Sequence, residues 1–417
     1  MVYEAGKPAT IQSGYLQYLK LFDGETLPVN RSFQSNLLLE ALRNVLPSSE
    51  NYPLHEPLFC GNEKKYVQEC IDTGWVSSVG KFVDRFEEDL AAYTGVKRAV
   101  AVVNGTAALH VCLILSDVQP NDEVLVPALT FIATANAVTY CGAVPHFVDS
   151  SYETLGMDPD ALYGYLSAIG EMRADGCHNK KTGRRIRAAL PMHTFGHPVD
   201  MDKMVAVCEK YQLALIEDAA ESIGSFYKGR HTGNFGRIVA MSFNGNKTIT
   251  TGGGGAVLTN DEELGRLAKH ITTQAKIPHR WAYAHDRIGY NYRMPNINAA
   301  LGCAQLEKLP GYVEKKRRLA EKYREALDGV SGVKFFVEPE FAKSNYWLNA
   351  ILLDEDVANE RDHMLAALND AGIGSRPIWE LMYTMPMFKD CPRMDCKVAE
   401  DIGCRLINLP SSVRLGA

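Results

Sequence analysis

From Ala99 to Phe243 the chain alternates short apolar runs with stretches of helical spacing, and this alternation constrains its fold more than any other feature. Ala99–Val103, Glu123–Val126, Val144–Val148, Ile186–Met192, Leu213–Asp218 and Ile238–Phe243 have the length and apolar content of buried strands. Thr106–Ser116, Ile132–Cys141 and Met201–Tyr211 have the spacing of helices between them. Strands that return to one sheet through helices run parallel, and both faces of such a sheet are covered. The expectation is therefore an α/β fold with a mostly parallel central sheet flanked by helices. In such sheets ligands bind beyond the carboxyl ends of the strands. Asn104, Asp218 and Ser242 all fall at such ends.

The alternation also divides the chain. Residues 1–54 read as an N-terminal helical extension, in which Ser35–Leu46 is amphipathic and Pro47–Pro53 is a linker. That extension is expected to pack on another subunit or on a smaller domain. Residues 55–309 form the large α/β domain, opening with helices over Glu63–Thr73 and Val83–Tyr93 that end at Gly74 and Gly95. Ala299–Leu306 and Val313–Leu327 have helical spacing, the second long enough to bridge two domains. Residues 310–417 then give a β–β–α pattern through Lys334–Val337, Tyr346–Leu353 and Arg361–Ala371, which implies a small C-terminal α+β domain.

The 417 residues carry a formal net charge of −6, which gives no reason to expect a nucleic-acid or acidic-membrane partner. No apolar run is long enough to span a bilayer, and the N-terminus lacks the pattern of a signal peptide. The ten cysteines are scattered, as in a reduced cytoplasmic protein. Cys391, Cys396 and Cys404 match no zinc-binding spacing, so no metal is expected.

One lysine stands out against this frame. Lys247 follows the strand Ile238–Phe243 and precedes Gly252-Gly-Gly-Gly255, while Asp218 ends another apolar strand. A lysine with an acid at the end of a neighbouring strand fits pyridoxal phosphate chemistry. The lysine forms a Schiff base, and the acid keeps the pyridine nitrogen protonated. Thr106 starts a helix after Asn104-Gly105, where free N–H groups and the dipole favour an anion. The Ser242 hydroxyl could reach a phosphate, Phe131 could lie against the ring, and Glu221 could reach its phenolic oxygen. Each residue also has an ordinary explanation: a helix cap, a strand-end serine, core packing, and an acid near a helix dipole.

The order and spacing of these motifs add a resemblance. Thr73-Gly-Trp-Val-Ser-Ser-Val-Gly80, Asn104-Gly-Thr-Ala-Ala-Leu-His110, Pro127-Ala-Leu-Thr-Phe131, His193-Thr-Phe-Gly-His197, Glu217-Asp-Ala-Ala-Glu-Ser222, Ser242–Lys247 and Gly289-Tyr-Asn-Tyr-Arg-Met294 closely resemble the DegT/StrS-type nucleotide-sugar aminotransferases. These are fold type I, pyridoxal phosphate-dependent enzymes. The resemblance runs from about His55 to about Ser412. It implies that Lys247 is the Schiff-base lysine and Asp218 the partner of the pyridine nitrogen. Thr106 and Ala107 would be phosphate-cradle residues joined by Ser242, and Phe131 the ring-stacking aromatic. Asn291 would reach the phosphate from the other subunit of a homodimer with shared active sites. Glu221 stands where glutamine is common.

Leu54-His-Glu-Pro57, Ser242–Lys247, Gly252-Gly-Gly-Gly255 and Pro278-His-Arg-Trp281 are most similar to the subgroup serving legionaminic-acid pathways. That subgroup implies transfer of an amino group from glutamate to C4 of a nucleotide-linked 4-keto-6-deoxy sugar bearing a 2-acetamido group, for nonulosonic acid or surface glycan biosynthesis. The competing reading is an aminotransferase of the same fold acting on a different keto-sugar or an amino acid. In that case Arg376, in Gly374-Ser-Arg-Pro377, could clamp a substrate carboxylate.

Overall fold

The computed structural model describes residues 33–46 and 50–417. Expectations for residues 1–32, and for 47–49 of the expected linker, lie outside these. The central sheet is built on seven strands: β1 (Arg98–Val102), β2 (Glu123–Pro127), β3 (Val144–Val148), β4 (Arg185–Ala189), β5 (Ala214–Asp218), β6 (Ile238–Ser242) and β7 (Gly255–Thr259). Their order is β1-β7-β6-β5-β4-β2-β3. The run from β6 through β5, β4 and β2 to β3 is parallel, and β7 alone is reversed, pairing antiparallel with both β6 and β1. A short hairpin, Gly170–Arg173 with Gly176–Asn179, extends the sheet from β4. Its polar, Gly-containing sequence carries no period-2 apolar signal.

Both faces of the sheet are covered, as the continuous apolar strands require. Along β6, Ile238 and Ala240 enter one core cluster while Val239 and Met241 enter another on the opposite face. In β1, Val100 and Val102 separate from Ala99 and Ala101 in the same way. Helices α1 (Phe33–Arg43), α2 (Glu63–Asp72) and α3 (Lys81–Thr94) precede the sheet, and α4 (Gly105–Leu115) and α5 (Ile132–Tyr140) connect its strands. Alternating side-chain direction along a strand divides the residues between the two layers.

Asn296–Leu327 is one 32-residue helix, α6, where the sequence suggests two. Pro310 lies inside it, removing one N–H and favouring a break. Burial on both sides outweighs that loss. Leu306 and Leu309 pack with α2 and α3, while Leu319, Tyr323 and Leu327 enter a separate core. That second core also takes Leu38, Leu42 and Leu46, so the amphipathic α1 stretch packs against α6 and the smaller sheet. The smaller sheet is antiparallel, ordered Val333–Phe335, Asn349–Leu353, Leu406–Leu409 and Arg376–Pro377. No helix among the described residues is long and apolar enough to cross a membrane.

Candidate active site

The carboxyl ends of β1, β5 and β6 meet in one place. Val102 and Ser242 both pair with Gly255, and Ala240 pairs with Asp218. Above them opens a cavity of about 690 Å³ lined by Thr106, Phe131, Asp218, Glu221, Ser242 and Lys247, with His55, Phe195, Trp347, Arg376 and Trp379 also on its wall.

The β1–α4 turn is fixed by Asn104, whose side chain accepts the Ala107 N–H at 2.8 Å and caps the helix. Gly105 packs tightly on β6: a Cβ at this position would stand 2.8 Å from Ser242 Cβ. The start of α4, with Thr106 in its first turn, therefore lies directly against Ser242. Among the described residues, neither hydroxyl has a protein hydrogen-bond partner, so both remain available to an acceptor-rich ligand. Ala107 does not line the cavity, and its N–H is occupied by the Asn104 cap.

Asp218 is buried at the end of β5, where Thr134 Oγ1 donates to it at 2.8 Å and the Ala220 N–H at 3.2 Å. Burial raises its pKa against the opposing effects of those donors and of Lys247. No cationic group among the described residues comes within ion-pair distance. A buried carboxylate that faces a cavity without a cation fits a ligand carrying a protonated ring nitrogen. Phe131 is 51% exposed and lines the cavity, so its ring face is open to a flat ligand.

Lys247 projects from a loop closed by hydrogen bonds from the Lys247 N–H to Asn244 O and from the Thr251 N–H to Phe243 O. Trp347 Nε1 donates to Asn246 O at 2.7 Å and ties the loop to the segment that enters the smaller sheet at Asn349. The Lys247 amine lies 3.8 Å from the centroid of the Trp347 ring, a cation–π distance, and 3.2 Å from Glu221 Oε1. The second Glu221 oxygen accepts the Phe195 N–H at 2.9 Å. Phe195 holds that N–H in place from a left-handed backbone, with φ of 54°. Burial pushes the Glu221 carboxyl up to about 7, outweighing its contact with Lys247.

Seven of the eight residues singled out from the sequence thus cluster within a few side-chain lengths, Ala107 just behind the wall. The eighth, Asn291, is exposed, pairs across a β-bridge with Thr273, and lies outside this cavity. Sequence reasoning did not single out Thr134, Phe195, Trp347 or Trp379. Trp347 and Trp379 come from the distant C-terminal part, and only the fold brings them to the strand ends.

The sequence profile of the DegT/DnrJ/EryC1/StrS aminotransferase family matches residues 60–417. The GDP-perosamine synthase of Escherichia coli O157:H7 is 40% identical over 359 residues, covering 86% of this chain and 93% of that protein. The GDP-perosamine synthase of Caulobacter vibrioides is 38% identical over 362 residues, covering 86% and 92%. Among solved structures, a DegT DnrJ EryC1 StrS aminotransferase from Brucella abortus superimposes with a TM-score of 0.77 at 29% identity, covering 84% of this chain and 90% of its own. Helicobacter pylori PseC, an aminotransferase involved in the biosynthesis of pseudoaminic acid, gives a TM-score of 0.78 at 25% identity, covering 87% and 94%.

Proposed function

This chain belongs to the DegT/DnrJ/EryC1/StrS aminotransferase family, and we propose that within it the protein moves an amino group from glutamate to C4 of a nucleotide-linked 4-keto-6-deoxy sugar. Membership makes it a pyridoxal phosphate-dependent aminotransferase with the fold type I architecture. The observation that carries the reading is the Lys247 amine in a cavity whose wall also holds buried Asp218, exposed Phe131 and the free hydroxyls of Thr106 and Ser242.

Pyridoxal phosphate supplies an aldehyde that takes up amines and a ring that accepts electron density from a bond being broken. The residues divide the remaining work. Lys247 would hold the cofactor covalently and, once released, carry the proton at Nζ between substrate and cofactor carbons. Asp218 would keep the ring nitrogen protonated, with Thr134 holding its carboxylate in place. Phe131 would cover one face of the ring. Thr106 and Ser242 would hold the phosphate at the start of α4, with Ala107 next along that turn. Glu221 would meet the phenolic oxygen and orient Lys247. Asn291 would reach the phosphate of a second copy, which makes a homodimer with shared sites part of the proposal.

The sugar class is supported by relatives named for GDP-perosamine and by the description of PseC. The finer reading is a 2-acetamido sugar on the way to legionaminic acid, another nonulosonic acid or a surface glycan. It rests on Leu54-His-Glu-Pro57, Ser242–Lys247, Gly252–Gly255 and Pro278-His-Arg-Trp281. The names of the relatives put GDP-linked sugars beside UDP-linked ones as candidates. Arg376 lines the cavity, and no carboxylate among the described residues pairs with it. That free guanidinium suits the carboxylate of glutamate, which an amino-acid substrate would also use.

The test is amine transfer from glutamate to a panel of GDP- and UDP-linked 4-keto-6-deoxy sugars, with and without a 2-acetamido group. The product is followed by mass spectrometry. Formation of a 4-amino sugar with stoichiometric 2-oxoglutarate is expected. Efficient transfer to keto acids with no transfer to any sugar would overturn the reading.

A further inference from the structure

Lys316 is fully buried on α6, and no carboxylate among the described residues is within ion-pair distance of it. Its amine makes three contacts: with the carbonyls of Trp347, at 3.1 Å, and Ser411, and with His55 Nε2 at 3.1 Å. The two carbonyls can only accept, so each takes one N–H. An ammonium group has a third N–H, and His55 Nε2 is the remaining partner. Nε2 must then accept, and the single proton of a neutral imidazole sits on Nδ1. His55 is indeed held neutral, its pKa lowered by burial and by Lys316 and Lys247.

His55 also lines the cavity, its ring 6.5 Å from that of Trp347, which in turn covers the Lys247 amine. Its Nδ1 is buried and has no protein partner. A buried N–H without an acceptor is costly, so its retention points to a ligand. The backbone around His55 is tied to the segment that follows the strand Leu406–Leu409. The Leu54 carbonyl accepts the Ser411 N–H at 2.7 Å, and the Glu56 N–H donates to Ser412 Oγ at 2.9 Å. Lys316 also holds Ser411 through its carbonyl, so its effect on the imidazole is read from the tautomer itself rather than from activity.

We propose that Lys316 is a positioning residue that fixes His55 as the Nδ1–H tautomer, and that His55 Nδ1–H donates to a carbonyl or hydroxyl oxygen of the keto-sugar. The second half rests on the sugar-aminotransferase reading above. The first half concerns the protein alone.

Nitrogen-15 spectra of the histidine-labelled full chain read the tautomer directly, with His55 assigned by its loss in His55→Phe. They are recorded at a pH of about 6, where the Lys316 amine, pulled down to about 7 by burial, is charged. The wild type is expected to carry the His55 proton on Nδ1, and Lys316→Met to shift population toward the Nε2–H form. A wild-type proton on Nε2 would overturn the proposal, because Lys316 would then be accepting rather than donating.

Steady-state kinetics with the keto-sugar that the wild type uses best test the contact. His55→Phe keeps an aromatic ring but removes the donor, and KM is expected to rise about tenfold with kcat changed less than about threefold. His55→Gln, which restores an N–H donor, should recover much of that loss. An unchanged KM in His55→Phe would overturn the substrate contact. Wild-type inactivity toward every keto-sugar would instead refute the parent reading, and the nitrogen-15 spectra would still decide the role of Lys316.

Discussion

Glu221 Oε1 stands 3.2 Å from the Lys247 amine, with the acid buried and the lysine nearly so. Burial nevertheless dominates, and the Glu221 carboxyl is pushed up from 4.5 to about 7. Between those values the folded chain holds a proton at this site that the unfolded chain has released. Stability of the cofactor-free protein therefore falls as pH rises through that window.

Glu221→Gln keeps an acceptor for the Phe195 N–H and removes the charge. Without cofactor, the variant should match the wild type near pH 4.5 and exceed it above about pH 7, by up to about 3 kcal/mol. Urea unfolding at the two ends of the window measures the difference. A variant no more stable than the wild type at the alkaline end would show that Lys247 keeps Glu221 ionised at little cost.

Asp218 faces the cavity with two hydrogen-bond donors and no cation. Asp218→Asn should retain bound cofactor, seen as a visible absorption band, yet lose about 10²-fold or more in kcat, because a neutral amide cannot stabilise a protonated ring nitrogen. Thr134→Val removes one donor and should cost less, about tenfold. If Asp218→Asn turned over normally, another group would have to hold the ring nitrogen.

A methyl group on Gly105 would approach Ser242 Cβ to 2.8 Å and its Oγ to 3.1 Å. The strand behind Ser242 is buried, so relief must come from the start of α4. Gly105→Ala should destabilise the fold by roughly 1–3 kcal/mol. It should weaken cofactor binding more than Asn104→Ala, which removes only the helix cap. Equal cofactor affinities in the two variants would show that the phosphate does not depend on the approach of α4 to β6.

What the sequence disclosed follows from how local each signal is. Strands β1 to β6 announce themselves through apolar runs, and Asp218, Ser242 and Thr106 lie at or just beyond the ends of three of them, so one rule about parallel sheets gathers them. Lys247 is visible because a strand and a glycine run bracket it. The unity of α6 was hidden by Pro310, since only tertiary burial on both halves holds that helix together. Trp347, Trp379 and His55 were equally hidden as cavity residues. Their places depend on long-range contacts such as Trp347 Nε1 to Asn246 O, which no local pattern encodes. Phe195 lies in a quoted motif, yet its left-handed backbone could not be foreseen for a residue with a bulky side chain.

The placement of Asn291 makes the strongest demand on assembly. It is exposed, bridged to Thr273, and outside the cavity that holds Lys247 on the same chain. If its role is to reach a phosphate, that phosphate lies in the cavity of a second copy. A symmetric dimer would then give each site Lys247 from one chain and Asn291 from the other. Hybrid dimers formed from Lys247→Ala and Asn291→Ala chains separate this arrangement from a local turn role for the asparagine. In each hybrid one site would carry both defects and the other neither. After mixing and re-equilibration, activity should rise well above that of either parent, towards a quarter of the wild type if subunits pair at random, because about half the dimers are hybrids with one intact site. Cofactor should also slow the exchange of subunits, since a ligand bound only by the assembled state favours that state. Verified hybrids that recover no activity, alongside an impaired Asn291→Ala parent, would rule out the shared site.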